Sequence, residues 1–228
     1  MSFVFDLGER PSVAIHNSKD RYAVRRIYCV GRNYAEHARE MGSDPDRDPP
    51  FFFQKPADSL IFNGDDIPYP LRSENFHHEV EMVIAIGKAG SNIALENAEE
   101  HIFGYAVGND LTRRDLQLKA REQGHPWDTS KAFDHSALIG QIYPVSEIGH
   151  IRKGEIAIKV DGDVKQKADI RDLIWNVPEI IAELSTLFAL QPGDLVYTGT
   201  PAGVGALTRG QTIEGYIEGL ETTINKII

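Results

Sequence analysis

Thiol chemistry is almost absent from this chain. Its 228 residues include one cysteine, Cys29, so an internal disulfide is excluded. Cys29 lies in the apolar run RRIYCVG, where a small buried hydrophobe is expected ahead of a nucleophile. No Cys/His cluster has zinc-ligand spacing. Long apolar runs are missing as well. None approaches the roughly 20 residues of a membrane-spanning helix. The N-terminus shows no charged start followed by an apolar signal core, so a soluble, cytoplasmic protein is expected. Positive charge is scarce: 24 basic residues face 34 acidic ones, a net charge of -10. That balance argues against a nucleic-acid groove or an anionic membrane as partner. Repeats, low-complexity tracts and linker-like stretches do not occur.

What is present is ordinary globular material, 41% hydrophobic and 25% charged. Residues 1–25 read as a short N-terminal extension with a hairpin, and residues 26–228 as a single domain. RIYCVG, FFFQKP, SLIFNG, FHHEVEMVIAIG, IFGYAVGND and DLVYTG read as strands from their β-branched and aromatic content. EIAIKVDGDVKQKAD reads as an Asp-Gly hairpin. Helices are expected at NYAEHAREMG, with Asn33 and Glu36 as a capping box and Gly42 as the stop, at LTRRDLQLKAREQG, and from Pro178 onward. GSDPDRDPP, after the first of these, reads as a mobile loop. Many short strands and few helices, without regular βαβ alternation, give an α+β fold dominated by β-structure.

Glu79 and Glu81 stand two apart in FHHEVEMVIAIG, on one face of the expected strand together with His77. A solvated face accommodates such a pair. The strand, however, continues as the apolar MVIAIG, and a second apolar strand ends in Asp110. Three carboxylates at the ends of core strands make a hard-oxygen site suited to Mg²⁺, Mn²⁺ or Ca²⁺. His37 and Glu40, three apart in the first helix, share a face. By spacing alone they fit a solvated surface better than a catalytic dyad. Lys55 and Lys131 lie near aromatic residues, either as buried cations facing an anion or as chains reaching water. Arg114 and Gln117 follow Asp110 on one helix face. TGTPAGVG, with Thr198 and Thr200, either offers backbone N–H groups to a carboxylate or makes a tight turn.

Six stretches in order carry a resemblance: CVGRNYAEHAREMG, FFFQKP, HHEVEMVIAIG, GYAVGNDLTRRDLQ, PWDTSKAFD and PGDLVYTGTPAGVG. From about residue 27 onward the chain resembles the fumarylacetoacetate hydrolase family, and most its small acylpyruvate and fumarylpyruvate hydrolases. The resemblance implies a rolled mixed β-sandwich with flanking helices, usually a homodimer. It implies Glu79, Glu81 and Asp110 as ligands of Mg²⁺ or Mn²⁺, and His37 with Glu40 as a water-activating dyad on a lid helix. Lys131 would stabilise developing charge. Arg32, Lys55, Arg114, Gln117 and Thr200 would hold a 2,4-diketo acid. The same triad serves decarboxylases and tautomerases in this family, so hydrolysis of fumarylpyruvate is the expectation and oxaloacetate decarboxylation or tautomerisation the alternative.

Overall fold

Strands follow the β-branched and aromatic runs. The structure is a computed structural model that describes residues 4–5, 8–40 and 49–228, the side chains of Ala38 and Glu40 excepted. The chain starts with β1 (Ser12–Ala14), β2 (Arg21–Ala23), β3 (Arg26–Gly31), α1 (Ala35–Glu40), β4 (Phe51–Lys55), β5 (Leu60–Phe62) and β6 (Asp66–Ile67). It continues through β7 (Phe76–His78), β8 (Val80–Ile86), β9 (Ile102–Asp110), β10 (Thr112–Arg113), α2 (Arg114–Glu122), α3 (Asp128–Lys131), β11 (Ala137–Ile139) and β12 (Tyr143–Pro144). The last part holds α4 (Val145–Ile148), β13 (Glu155–Val160), β14 (Asp163–Asp169), α5 (Val177–Leu187), β15 (Asp194–Tyr197), β16 (Gly205–Leu207), β17 (Thr212–Ile217) and β18 (Thr223–Ile227). This is the expected α+β fold, mostly β. No described helix is long and apolar enough to cross a membrane.

The largest sheet has the order β4-β3-β15-β8-β9-β11-β5, with β12 also paired to β9. It is mixed: β15 runs parallel to β3 and β11 parallel to β5, while β8 is antiparallel to both its neighbours. A second sheet, β14-β13-β17-β18-β6, faces it. Strand alternation divides the side chains of β8 between two cores. Val80, Met82, Ile84 and Ile86 pack toward Ile156, Ile158, Ile213 and Ile217 of the second sheet and Ile180, Ile181 and Leu184 of α5. Val83 and Ala85 point the other way, toward Ile27, Cys29, Ala106, Leu195 and Tyr197. Glu79, Glu81 and Asp110 have the parity of this second face.

The hairpin β1–β2 covers the second core with Val13 and Tyr22, and Val24 follows. The Tyr22 hydroxyl donates to the Ile86 and Asp194 carbonyls at 2.7 and 2.8 Å and accepts from the Gly193 N–H at 3.0 Å. Tyr22→Phe is therefore expected to lower unfolding free energy by about 1–3 kcal/mol, the cost of leaving buried backbone groups without a partner. Urea unfolding with an unchanged m-value is the check.

The helix expected from Leu111 begins only at Arg114, because Thr112–Arg113 pairs with β7 as β10. Two further local expectations change. FHHEVEMVIAIG is not one strand. The chain leaves a three-stranded sheet (β10-β7-β16) at His78 and enters the large sheet at Val80. Glu79 joins them because the Asn109 Oδ1 takes its N–H at 2.8 Å. Asn33 does not cap α1 either. Its amide donates to the Trp175 and Thr198 carbonyls and accepts from the Trp175 N–H, tying the start of the helix to two distant segments. Gly42 and positions 42–48 of the expected mobile loop lie outside the described residues. The Asp-Gly hairpin and the Asn176-capped α5 form as expected.

Candidate active site

Cross-strand register assembles the carboxylates. Glu81 lies opposite Gly108 on β9, and the Asp110 N–H donates to the Glu79 carbonyl at 2.8 Å. Asp110 therefore sits beside Glu79 on the same face. Gly108 packs tightly here, since a Cβ there would overlap the Val83 and Tyr197 side chains. Oxygens of Glu79, Glu81 and Asp110 fall within 4.8 Å of one another, and all three residues are buried.

Cations crowd two of the three acids. Lys131 Nζ, at the end of α3, lies 2.7 Å from Glu79 Oε2, 2.6 Å from Asp110 Oδ2 and 2.7 Å from Thr112 Oγ1. Arg114, at the start of α2, donates to Glu79 Oε1 and to Gln117 Oε1. Burial opposes the Glu79 charge, but Lys131 and Arg114 outweigh it and hold the carboxyl far below the usual range. Burial likewise opposes the Lys131 charge, and Asp110 and Glu79 outweigh it, so its pKa is raised.

Glu81 is different. It is 1% exposed, and its carboxylate accepts the Gly199 N–H at 2.7 Å. Among the described residues no cation forms an ion pair with it. Burial and then the neighbouring charges of Asp110 and Glu79 push its pKa well above the usual carboxylate value. Asp110 Oδ1 has Lys55 Nζ at 2.8 Å but no hydrogen-bond partner of proper alignment. A buried acid with no ion-paired cation among the described residues and an all-oxygen donor set fit a hard divalent ion.

Around the triad lies a narrow cleft whose walls include Arg32, His37, Arg114, Gln117, Lys131 and Thr200. Nine of the eleven residues expected at the site from the sequence, the triad, Lys131 and Thr200 among them, line this cleft. His37 is 5% exposed at this wall. The Glu40 side chain is outside the described residues. Lys55 does not reach the cleft wall. Its ammonium is buried and turns to Asp110, the Leu111 carbonyl at 3.2 Å and the Lys131 carbonyl. It is an internal brace for Asp110 and α3 and not a free cation. His77 stands behind Arg114, bonded to Asn75 Oδ1 at 2.8 Å; burial and then Arg114 lower its pKa to about 4.

Phe53 and Trp127 also line the cleft, and a groove of about 510 Å³ bounded by Phe51, Gln54, Pro126 and Trp127 adjoins it. Trp127 was not singled out in the sequence, although PWDTSKAFD contains it. The Gly199 N–H does serve a carboxylate, but the protein's own Glu81.

Comparison with known proteins agrees with this architecture. Residues 26–228 match the family described as Fumarylacetoacetate (FAA) hydrolase C-terminal. A crystal structure of fumarylpyruvate hydrolase from Pseudomonas aeruginosa, in complex with Mn²⁺ and pyruvate, is 52% identical and superposes with a TM-score of 0.97 over 100% of this chain and 99% of that one. Fumarylpyruvate hydrolase of a Ralstonia species is 48% identical over 170 residues, 75% of this chain and 88% of its own length. The mitochondrial oxaloacetate decarboxylase of Dictyostelium discoideum is 42% identical over 199 residues, 87% of this chain and 91% of its own. Likeness of that extent, in sequence and in backbone alike, means that the chain belongs to the fumarylacetoacetate hydrolase family.

Proposed function

We propose that this chain is a metal-dependent hydrolase that cleaves the C–C bond of an acylpyruvate, with fumarylpyruvate the substrate assigned, to pyruvate and a carboxylic acid. Glu79, Glu81 and Asp110 would hold Mg²⁺ or Mn²⁺. When bound, the ion supplies Lewis-acid polarisation and a template for the 2-oxo acid. Arg114 and Gln117, on one face of α2, offer N–H donors to the substrate's pyruvoyl carboxylate. Thr200 lines the same cleft. His37, oriented by Glu40, takes a proton from water, and the water oxygen adds to the distal ketone carbon. Lys131 steadies the oxyanion formed there. The C–C bond then breaks. Its electron pair passes into the enolate of pyruvate, which takes up a proton at its terminal carbon. The other fragment leaves as a carboxylic acid. Phe53 and Trp127 keep bulk water from the reacting atoms.

His37 lining the same cleft as the three acids is the observation that carries this function. Decarboxylation or tautomerisation of oxaloacetate needs no activated water, and the Dictyostelium relative supports it as the second reading. Arg32 is half-buried under Phe51, and burial and then Arg121 lower its pKa. It is the cation assigned to the distal carboxylate of fumarylpyruvate. The family resemblance also supports one catalytic domain at 26–228, a homodimer and a cytoplasmic location.

Incubation with Mn²⁺ and each of fumarylpyruvate, acetylpyruvate and oxaloacetate tests the assignment. Fumarylpyruvate is expected to give pyruvate and fumarate in equal amounts. Its kcat/KM should exceed that of acetylpyruvate by about 10–100-fold, as a charge-assisted hydrogen bond of roughly 1.5–3 kcal/mol dictates. Release of CO₂ from oxaloacetate with no turnover of either acylpyruvate would put the decarboxylase first.

A further inference from the structure

The ladder beside the metal-site strand runs out before it reaches the carboxylates. Strand β15 pairs with β8 from Leu195 opposite Ala85 to Tyr197 opposite Val83, and the Thr198 N–H reaches the Met82 carbonyl at 3.0 Å. Beyond that point no strand among the described residues meets this edge of β8. Val80, the residue between Glu79 and Glu81, still has a buried N–H and C=O to satisfy on that edge.

Two side chains take the place of the missing strand. Gln166 belongs to β14, at the edge of the second sheet, yet it is 1% exposed. Its Oε1 accepts the Val80 N–H at 3.1 Å. Its Nε2 donates to Thr200 Oγ1 at 2.8 Å and to the Pro201 carbonyl at 2.6 Å. The Thr200 hydroxyl donates in turn to the Val80 carbonyl at 2.8 Å. The result is a closed ring: Val80 N–H to Gln166, Gln166 to Thr200, Thr200 to Val80 C=O. The Pro201 carbonyl can only accept, so it fixes which end of the amide faces which partner. Oε1 thereby faces His78 Nδ1 at 2.9 Å, and that nitrogen carries the proton.

We propose that Gln166 is a positioning residue for the carboxylate triad, aiming Glu79 and Glu81 by clamping both peptide units between them and holding Thr200 at the cleft wall. This rests on the triad being the metal site. The N–H that Gln166 holds belongs to the peptide joining Glu79 to Val80. The C=O that Thr200 holds belongs to the peptide joining Val80 to Glu81. Rotation of either plane would swing one carboxylate out of register with Asp110, which is fixed from β9. Groups that orient metal ligands in this way typically contribute 10–100-fold to affinity.

Mn²⁺ titration calorimetry on wild type, Gln166→Met and Tyr22→Phe separates positioning from mere stability. Methionine keeps the length of the side chain and removes both ends of the clamp. Tyr22 is buried in the second core and bonds to the backbone of Ile86, at the opposite end of β8 from Glu81, and of Gly193 and Asp194. Both variants should melt below wild type. Gln166→Met should bind Mn²⁺ about 10–100-fold more weakly, while Tyr22→Phe should match wild type. Thr200→Val cuts the same ring and should also weaken Mn²⁺ binding, so it decides the matter if Gln166→Met does not fold. Wild-type affinity in the folded ring variants would overturn the positioning role. Absence of Mn²⁺ binding in wild type would instead overturn the metal reading.

Discussion

Glu81→Gln is expected to abolish Mn²⁺ binding and to cut acylpyruvate hydrolysis by about 10³-fold or more, since the ion contributes several kcal/mol to the transition state and each 1.36 kcal/mol is tenfold. The substitution keeps shape and burial and removes one charged ligand. It should not unfold the metal-free protein. Among the described residues Glu81 has no ion pair to lose, and burial beside Asp110 and Glu79 already disfavours its charge. Its hydrogen bond from the Gly199 N–H can be accepted by the glutamine oxygen. The contrast with Glu79 is sharp, because Glu79 neutralises Lys131 and Arg114. Removing it would leave two buried cations short of a partner, a change that costs about 3–5 kcal/mol for a broken buried pair. Glu81 is thus the acid whose loss reports on metal binding with the least structural noise. Thermal melts give the independent reading. Mn²⁺ at about 100 times its Kd should stabilise wild type by about 2.7 kcal/mol, or roughly 5–10 °C for a chain of this size. The variant's melting point should not move. A Glu81→Gln protein that binds Mn²⁺ as wild type does would remove Glu81 from the ligand set.

Period-two alternation makes the triad legible in the sequence alone. It needs only the parity of Glu79, Glu81 and Asp110 against the apolar residues that follow or precede them. That parity survived even where the strand did not. The chain breaks at Glu79, yet the carboxylates still converge, because the Asp110 N–H on the Glu79 carbonyl carries the register across the gap. Side chains whose partners lie far away in sequence are not legible from their neighbours. Asn33 fits a local capping pattern, but its amide serves Trp175 and Thr198, more than 140 residues away. Local propensity favours the cap, and a buried amide with three distant partners outweighs it. Lys55 looked like a cation beside aromatics, which is true of its surroundings and uninformative about its target. Gln166 stands in the hairpin DGDVKQKAD among exposed charged residues, and nothing nearby in sequence marks it as buried. Only the packing of the second sheet against β8 brings it to Val80.

His37→Ala is expected to reduce acylpyruvate hydrolysis by about 10²–10⁴-fold, the usual share of a general base, while Mn²⁺ affinity stays at the wild-type value. Affinity should hold because the triad lies on β9, on β8 and at the β7–β8 junction, and the histidine on α1. His37 is buried against the cleft, so alanine opens space there, and the loss must be shown to come from chemistry. Two comparisons do that. His37→Gln keeps most of the volume and a hydrogen-bonding tip but cannot take up a proton, so it should be nearly as slow as alanine. Oxaloacetate decarboxylation or tautomerisation, where the protein has it, should survive both substitutions, since neither reaction consumes an activated water. Glu40→Ala should lose less than His37→Ala, because orientation of a base contributes less than its presence. The double variant should be little slower than His37→Ala alone, as residues acting in one step are not additive. Full hydrolase activity in His37→Ala would leave His37 as a wall of the cleft and nothing more. The carboxylates, Lys131 and Arg114 would remain as an enolate-stabilising site, and the oxaloacetate reaction would become the function to pursue.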